Sequence, residues 1–246
     1  MASTAPPAVD VFTVRTAGVG AGLVATLSTL LTGEELARAA RFVRAVDHDT
    51  FVIARALVRT TLSAYGPTAP RDWRFETNAH GCPFVVPAQA GVPGLAFNLS
   101  HTSGLVALAV TRGRLVGIDV ERVDRVVRED VAGRFFAPDE VRDLRALPVD
   151  TQARAFFDYW TLKEAYIKAR GMGLAIPLAD FAFTLAPPAA PAIRFVNGFD
   201  DRPERWQFWQ AWPTDVHRLA LAVTRDDTDH ALAVTLTDTS PEALVA

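Results

Sequence analysis

Lysine is almost absent from this chain, and its two lysines stand close together with a glutamate between them. Of the 25 residues that are Lys or Arg, only Lys163 and Lys168 are lysines, and Glu164 lies between the two. A lysine ammonium is a compact, mobile charge that can follow a phosphate group as it moves, in a way that the planar arginine fork cannot. This spacing therefore predicts a site for a phosphate-bearing ligand.

The same three charges fall on one predicted helix, which covers Phe156–Arg170. A period of 3.6 residues places Trp160, Glu164 and Lys168 along one stripe, with Lys163 beside it. An exposed Glu–Lys pair on a surface helix is the alternative, and it would stabilise the helix by only about 0.2 to 0.5 kcal/mol. Because this helix is apolar almost all round, a central position is favoured, and a charged trio there indicates a site.

Two carboxylates follow the apolar strand predicted for Leu115–Val120. Asp119 and Glu121 are two residues apart, and alternate residues of a strand point to the same face. Two such charges repel each other unless a cation lies between them, and a hard divalent ion such as Mg²⁺ is bound by oxygen ligands of this kind. The alternative is a strand that ends in solvent with ordinary surface acids.

The segment FNLSHTSG, residues 97–104, is predicted as a polar turn between two short strands, and it carries Asn98, Ser100 and His101. Neighbouring Ser and His side chains on an extended chain point to opposite faces, so they cannot act as nucleophile and base for each other. A serine hydrolase is therefore disfavoured. The polar groups suit phosphate binding, with a solvated turn as the alternative.

Helices and short strands must position these residues. Helical spacing covers Thr32–Tyr65, with Thr32 as N-cap, and Asp139–Arg170, with a break near Pro148. Strands are predicted at Leu95–Leu99, Leu105–Val110, Leu115–Val120, Phe181–Leu185, Trp206–Trp212, Leu219–Thr224 and Ala231–Thr235, and a surface loop at Ala186–Ala192. The pattern indicates an α+β protein.

An internal repeat divides the chain. The hexapeptide ALAVTR occurs at residues 107–112 and again at 220–225, in each case after helical sequence. A repeat of this kind predicts two similar α+β halves, 1–114 and 115–246, with a ligand in the cleft between them. A chance match between segments rich in alanine and valine is the alternative.

The composition limits the classes of function. The chain of 246 residues is 50% apolar with a formal net charge of −3, so it has no basic excess that would indicate nucleic-acid binding. A single cysteine, Cys82, excludes an internal disulfide and a thiolate metal cage. The first residues predict neither a signal peptide nor a membrane span, and a cytoplasmic monomer is expected.

Taken together, these segments resemble the Sfp-type 4′-phosphopantetheinyl transferases. The resemblance is carried by FNLSH, VGIDVE, RFF at Arg134–Phe136, Asp139 with Glu140, and W-x-x-KEAYIK-x-x-G-x-G-L from Trp160 to Leu174, and it covers Thr32 to Leu185. It implies a fold of two α+β halves related by pseudo-twofold symmetry, with the active site between them. The second half would carry the metal-binding carboxylates.

The resemblance also implies roles for individual residues. Metal ligands would be Asp119, Glu121 and Glu164, and Glu164 and Lys168 would be catalytic, with Glu164 as the base. Contacts with coenzyme A would come from Arg38, Arg41, Asn98, Ser100, His101, Asp119, Lys163 and Lys168. The chain departs from the family at Gly81-Cys82-Pro83, where the family has G-K-P, so a lysine expected near the nucleotide is replaced and His80 is a candidate substitute.

The implied reaction is that of a holo-[acyl-carrier-protein] synthase. Coenzyme A would be the substrate and Mg²⁺, or alternatively Mn²⁺, the metal. The phosphopantetheine arm would pass to a serine of an acyl or peptidyl carrier protein, releasing adenosine 3′,5′-bisphosphate. Two alternatives use the same residues differently: a metal-dependent phosphohydrolase would use water as nucleophile, and a carrier-protein binding module would not catalyse at all.

Overall fold

The structure is a computed structural model that describes residues 8–86, 89, 94–125, 131–173, 176–196, 198–226 and 231–245. Its helices are α1 (Ala21–Ser28), α2 (Gly33–Ala39), α3 (Ala45–Ser63), α4 (Val131–Phe135), α5 (Pro138–Ala146) and α6 (Val149–Arg170). Its strands are β1 (Ala8–Arg15), β2 (Phe75–Thr77), β3 (Pro83–Val85), β4 (Leu95–Thr102), β5 (Leu105–Arg112), β6 (Val116–Arg122), β7 (Phe181–Thr184), β8 (Ala192–Phe195), β9 (Trp206–Thr214), β10 (His217–Thr224) and β11 (Ala233–Thr239). The predicted α+β class is confirmed.

Each predicted helix and strand overlaps an element of the structure. Thr32 caps α2 as predicted: its hydroxyl accepts from the Glu35 N–H at 3.3 Å, and the Glu35 carboxylate accepts from the Thr32 N–H at 3.0 Å. Pro148 separates α5 from α6, and Gly171 ends α6 in the left-handed region, with φ 62°. These boundaries follow from local chemistry, which explains why they are readable in the sequence.

Other elements lie outside the predicted set. They are β1, α1, α4 and the strands β2, β3 and β8 of two short ribbons. The predicted polar turn is wrong in its position, because β4 continues to Thr102 and therefore contains Asn98, Ser100 and His101. The chain turns only at Ser103 and Gly104.

Two sheets repeat one arrangement. In the first sheet β5 lies between antiparallel β1 and β4, and in the second β10 lies between antiparallel β6 and β9. The two ALAVTR segments lie on the equivalent central strands β5 and β10. Strand β11 pairs parallel with β1, so the last strand of the chain belongs to the first sheet. The division at residue 114 and the pseudo-twofold relation stay predictions.

The core has three parts. One apolar cluster joins α1 and α3 to the first sheet, and another joins α5 and α6 to the second sheet. The third lies between the sheets, where apolar side chains of β1, β5, β6 and β10 meet. The two sheets are therefore covered by helices on their outer sides and by each other on their inner sides.

Helix α6 lies directly against the backbone of β6. A Cβ at Gly117 would be 2.1 Å from the carbonyl oxygen of Ala165 and 2.3 Å from the amide nitrogen of Ala169. Only glycine fits at such a distance. The close approach brings α6, with Glu164 and Lys168, beside the carboxylates that follow on β6.

Within the described residues, no helix is both long enough and apolar enough to cross a membrane.

We expect Gly117→Ala to destabilise the protein strongly. The new methyl group meets backbone atoms, which cannot rotate away, so α6 must move from β6 at a cost of about 1 to 3 kcal/mol or more. Urea unfolding at equilibrium measures this loss.

Gly33→Ala is the matched control. An added Cβ at Gly33 has nothing within 4 Å. Since alanine restricts the unfolded chain, this variant should be unchanged or more stable by about 0.4 to 1 kcal/mol. Equal unfolding midpoints for the Gly117 variant and the wild type would contradict the packing described above.

Candidate active site

Asp119 lies at the centre of the candidate site. It is 4% exposed, and its Oδ1 accepts hydrogen bonds from the Ser100 hydroxyl at 3.0 Å and from Lys168 Nζ at 2.6 Å. Its Oδ2 is buried without a hydrogen-bond partner among the described residues. A buried carboxylate oxygen without a donor is costly, so this atom indicates where a ligand belongs.

Ser100 and Asn98 join strand β4 of the first sheet to strand β6 of the second sheet at the site. The Ser100 hydroxyl accepts from Lys168 Nζ at 2.9 Å and from the Val120 N–H at 3.3 Å. Two residues earlier, Asn98 Oδ1 accepts from the Ile118 N–H at 3.0 Å. Side chains of β4 thus take the place of a backbone ladder to β6. Asn98 is buried between the strands, and its contact with coenzyme A stays a prediction.

Glu164 faces the same carboxylates from α6. Burial is the largest cause that raises the pKa of Glu164 to about 7, and the negative charges of Asp119 and Glu121 raise it further, while Lys168 opposes them. The side chain is therefore close to half ionised at neutral pH. A carboxylate of this kind can accept a proton near neutrality.

Glu121 is held at the edge of the site. Arg125 forms an ion pair with its Oε2 at 2.8 Å, and the Trp160 side chain donates a hydrogen bond to the carboxylate. Burial and the charge of Asp119 nevertheless raise the pKa of Glu121. All three predicted metal-binding acids are thus brought together by β6 and α6, and they repel one another.

This donor set fits a hard divalent cation. The orphan Oδ2 of Asp119 and the raised pKa values of Glu121 and Glu164 all indicate missing positive charge. In the described part of the chain, no group of three His, Cys, Asp or Glu side chains is already arranged to hold a metal ion.

The structure contradicts the prediction that Lys163 binds a phosphate. The side chain is fully buried, and its Nζ donates to the Glu140 carboxylate at 2.7 Å and to the carbonyls of Leu178 at 2.8 Å and Phe181 at 2.7 Å. An ammonium has three donors, and all three are used inside the protein. Of the two lysines, only Lys168 reaches the site, where 29% of its side chain is exposed.

His101 lies at the surface beside the cluster. Partial burial is the main cause that lowers the pKa of the imidazole; the positive charge of Lys168 lowers it too, and Asp47 opposes both. The ring is therefore mostly neutral at pH 7. Since Ser100 is buried while its neighbour is exposed, the two side chains point to opposite faces, as the sequence predicts.

Arg38 and Arg41 are exposed on α2 and the turn that follows it. Glu35 of the same helix is engaged by Arg55 at 2.6 Å and by Arg59 at 2.8 Å, which fixes α2 on α3. No acid of the described residues pairs with Arg38 or Arg41, so both guanidinium groups are available to an anion. The described contacts do not join them to Asp119.

Cys82, which stands where the resemblance leads us to expect a lysine, lies beside the end of α6. Asn78 Oδ1 accepts from the N–H groups of His80 and Cys82, and its Nδ2 donates to the Gly171 carbonyl at 2.7 Å. Burial raises the pKa of the Cys82 thiol, so this side chain carries no charge that could replace a lysine. His80 is exposed on the same loop. Leu174, the last residue of the helix motif, lies outside the described residues.

Several contacts of the site are not predicted from the sequence. They are the bonds of Ser100 to Asp119 and Lys168, the hydrogen bond from Trp160 to Glu121, and the pairing of Lys163 with Glu140. The spacing of alternate residues on β4 and β6 is the signal that could have revealed the first. The pairing of Lys163 with Glu140 joins residues 23 positions apart, so no local sequence pattern indicates it.

Comparison with known proteins agrees with this geometry. Residues 22–113 match the family model "4'-phosphopantetheinyl transferase, N-terminal", and residues 115–234 match "4'-phosphopantetheinyl transferase superfamily". The 4'-phosphopantetheinyl transferase HetI of Nostoc sp. is 38% identical over 202 residues, which cover 74% of this chain and 85% of that protein.

Two proteins of Bacillus subtilis are also similar. A 4'-phosphopantetheinyl transferase is 31% identical over 183 residues, covering 74% of this chain and 79% of its own length. The 4'-phosphopantetheinyl transferase Sfp of strain 168 is 31% identical over 157 residues, covering 64% and 67%. On these matches, and with the carboxylates and Lys168 placed together, the chain belongs to the Sfp-type 4′-phosphopantetheinyl transferase family.

Proposed function

We propose that this protein transfers the 4′-phosphopantetheine arm of coenzyme A to a serine hydroxyl of an acyl or peptidyl carrier protein, with Mg²⁺, releasing adenosine 3′,5′-bisphosphate. The observation that carries the proposal is the buried Asp119, whose Oδ1 is bound by Lys168 and whose Oδ2 has no hydrogen-bond partner among the described residues. This centre is suited to a phosphate-bound cation.

Asp119, Glu121 and Glu164 would hold the Mg²⁺. When bound, the cation supplies the positive charge that neutralises the pyrophosphate of coenzyme A. Phosphoryl transfer depends mainly on positioning and charge neutralisation, so a site of this composition needs no covalent intermediate on the protein.

Lys168 would bind the phosphate oxygens directly. Its Nζ donates to Ser100 and Asp119, which leaves one of its three donors for a phosphate. Ser100 keeps the ammonium in place because its hydroxyl is itself fixed by the Val120 N–H. The charge that grows on the leaving oxygen would thus meet a donor that is already oriented.

Glu164 would accept the proton of the carrier serine. In the metal-free protein the pKa of Glu164 is raised to about 7, chiefly by burial, and a bound Mg²⁺ would lower it and keep the carboxylate ionised, in the form that accepts a proton. Its position next to Lys168 on α6 keeps proton acceptance close to the transferred phosphate. The exposed Arg38 and Arg41, with the neutral His101, would contact the remaining phosphates of the nucleotide.

The carrier protein would dock on the segment Arg134–Leu147. Here Phe135 is 36% and Leu147 40% exposed, and Arg142 and Arg145 border an open recess of about 760 Å³. An apolar surface with arginines suits an acidic helix near the carrier serine, although the whole chain has a net charge of −3.

Mass spectrometry of apo carrier proteins tests the proposal. A panel of acyl and peptidyl carrier proteins is incubated with coenzyme A and Mg²⁺, and at least one should gain the mass of phosphopantetheine. A metal-dependent phosphohydrolase would instead release adenosine 3′,5′-bisphosphate from coenzyme A alone. A binding module would retain the carrier protein and leave both substrates unchanged.

Replacement of Lys168 should lower turnover. Lys168→Ala removes a preoriented donor, which costs about 2.7 to 4 kcal/mol of transition-state stabilisation, equivalent to roughly a hundredfold to a thousandfold in rate. Lys168→Arg should also be impaired, because a planar guanidinium cannot donate hydrogen bonds to Ser100, Asp119 and a phosphate from a single nitrogen as the ammonium does. Steady-state kinetics of carrier modification measures both effects.

Arg154→Lys, the reverse exchange on an exposed turn of α6, is the control and should keep its rate. Normal turnover in both Lys168 variants would contradict the role given to this side chain.

The apoprotein should gain stability from Glu164→Gln, and only at higher pH. The folded pKa of about 7 is above the ordinary 4.5, so ionisation opposes folding, and stability falls as pH rises between these values. With EDTA present, the variant should exceed the wild type by about 1 to 3 kcal/mol near pH 8, since partial exposure screens the full effect, and by little near pH 4.5. Urea unfolding at both pH values measures the difference.

Glu35→Gln provides a control of opposite sign. Burial alone would raise the pKa of Glu35, but its bonds to Arg59 and the charge of Arg55 outweigh burial and lower it. This variant should lose stability above pH 4.5 and approach the wild type as pH falls through the folded pKa. A Glu164 variant less stable than the wild type at pH 8 would show that the three carboxylates do not repel as described.

A further inference from the structure

A fully buried ion pair lies behind the candidate active site. The side chains of Glu140 on α5 and Lys163 on α6 are 1% and 0% exposed, and the Nζ–Oε2 distance is 2.7 Å. The described contacts of the pair do not include Asp119, and neither side chain reaches the solvent, so the pair would take no direct part in the transfer step proposed above.

Every polar atom of the pair has a partner. Besides the ion pair, Lys163 Nζ donates to the carbonyls of Leu178 and Phe181, at 2.8 and 2.7 Å. The Glu140 carboxylate accepts from the N–H groups of Ala137 at 2.9 Å and Phe183 at 2.8 Å. The ammonium also lies 4.4 Å from the centroid of the Phe181 ring.

This geometry explains why the position carries lysine in a chain that otherwise uses arginine. Two carbonyls and one carboxylate match the three donors of an ammonium. A guanidinium has five donors in one plane, so two of them would be buried without acceptors, and the group is larger than a site with no exposed surface can hold.

The network around the ion pair connects α5, α6 and the segment that leads into β7. Glu140 belongs to the first turn of α5 and holds the backbone at Ala137, where that helix begins. Lys163 precedes Glu164 on α6. The carbonyls and N–H group that complete the network belong to the segment from Leu178 to Phe183, which leads into and forms β7.

Stability alone is a weak reason for such a pair. Removing two charges from water is expensive, and buried ion pairs are often replaced by apolar side chains without loss of stability. Burial is the main cause that lowers the pKa of Lys163, and the Glu140 carboxylate opposes it. What a buried pair provides is a single geometry, because each partner is unfavourable in any other place.

We propose that Glu140 and Lys163 are positioning residues, which fix the carrier-docking segment at α5 in register with the catalytic helix α6. This inference rests on the proposed function, because α5 lies in the segment Arg134–Leu147 that would receive the carrier protein. The carrier serine must arrive at Glu164 and Lys168, and the pair sets the distance between the docking surface and these two side chains.

The test uses the full chain with both charges removed together. In Lys163→Met/Glu140→Gln no buried charge is left alone, and the glutamine oxygen can still accept from a backbone N–H. The single variant Lys163→Met, which leaves the Glu140 carboxylate buried without its cation, is measured for comparison. Asp238→Asn is the matched control, since Asp238 is a surface acid of β11 outside the docking segment and the candidate active site, and it forms its ion pair with Arg15 at 3.9 Å.

Kinetics and hydrogen exchange are read on the same proteins. For the double variant we expect the KM for the carrier protein to rise about tenfold, with the KM for coenzyme A and kcat nearly unchanged, because docking is disturbed and the metal site is not. We also expect amides of α5 to exchange faster with deuterium by about tenfold, while those of β5 keep the wild-type rate. Asp238→Asn should behave as the wild type in both measurements.

Several outcomes would overturn the proposal. One is a folded double variant with wild-type carrier KM, or with α5 amides as protected as before. Another is a uniform loss of activity in proportion to the unfolded fraction, or a double variant that does not fold, since either would mean that the pair serves the fold as a whole.

Failure of the proposed function has a different signature. If the wild type modifies no carrier protein, the coupling to docking falls with that function. Faster exchange confined to α5 in the double variant would still show that the pair holds this helix, and unchanged exchange would refute the positioning role as well.

Discussion

The contact between the backbone of β6 at Gly117 and helix α6 is the constraint on which the site depends. With the carbonyl of Ala165 only 2.1 Å from where a Cβ would be, no side chain separates helix and strand. The carboxylates of β6 and the charged side chains of α6 can therefore meet through short bonds, as the 2.6 Å contact of Lys168 with Asp119 shows. A usual helix-to-sheet spacing would leave these groups too far apart to interact.

The site also lies where the first and second sheets meet, and its electrostatics reflect this position. Asn98 and Ser100 of the first sheet bind backbone N–H groups of the second, so the strands meet through polar side chains rather than apolar ones. Asp119 and Glu164 lie in the same region, and the positive charge around them does not compensate their negative charges: Oδ2 of Asp119 has no donor and the pKa of Glu164 is raised. The protein therefore leaves carboxylate groups in this region without full hydrogen bonding or charge compensation, as functional sites commonly do, and a bound ligand would supply both.

Much of this arrangement could be predicted from the sequence because it depends on local rules. The cap at Thr32, the helix end at Gly171 and the α+β class follow from short patterns that fix backbone geometry. Asp119 and Glu164 were identifiable as site residues by type and spacing. Lys163 was misread because a lysine beside a catalytic residue has the same local pattern whether it faces a ligand or the core. Its partner Glu140 is distant in sequence, and only tertiary packing shows that the ammonium is enclosed.

The near absence of lysine has a consequence for the reactivity of the molecule. Of the two lysine side chains in the sequence, Lys163 is fully enclosed, whereas 29% of the Lys168 side chain is open to solvent. Reagents that acylate lysine amines therefore find a single side chain to modify. That amine donates hydrogen bonds to Asp119 at 2.6 Å and to Ser100 at 2.9 Å, so a reagent must displace these contacts before it reacts. Labelling at lysine would thus mark the candidate active site and leave the rest of the protein unmodified at lysine.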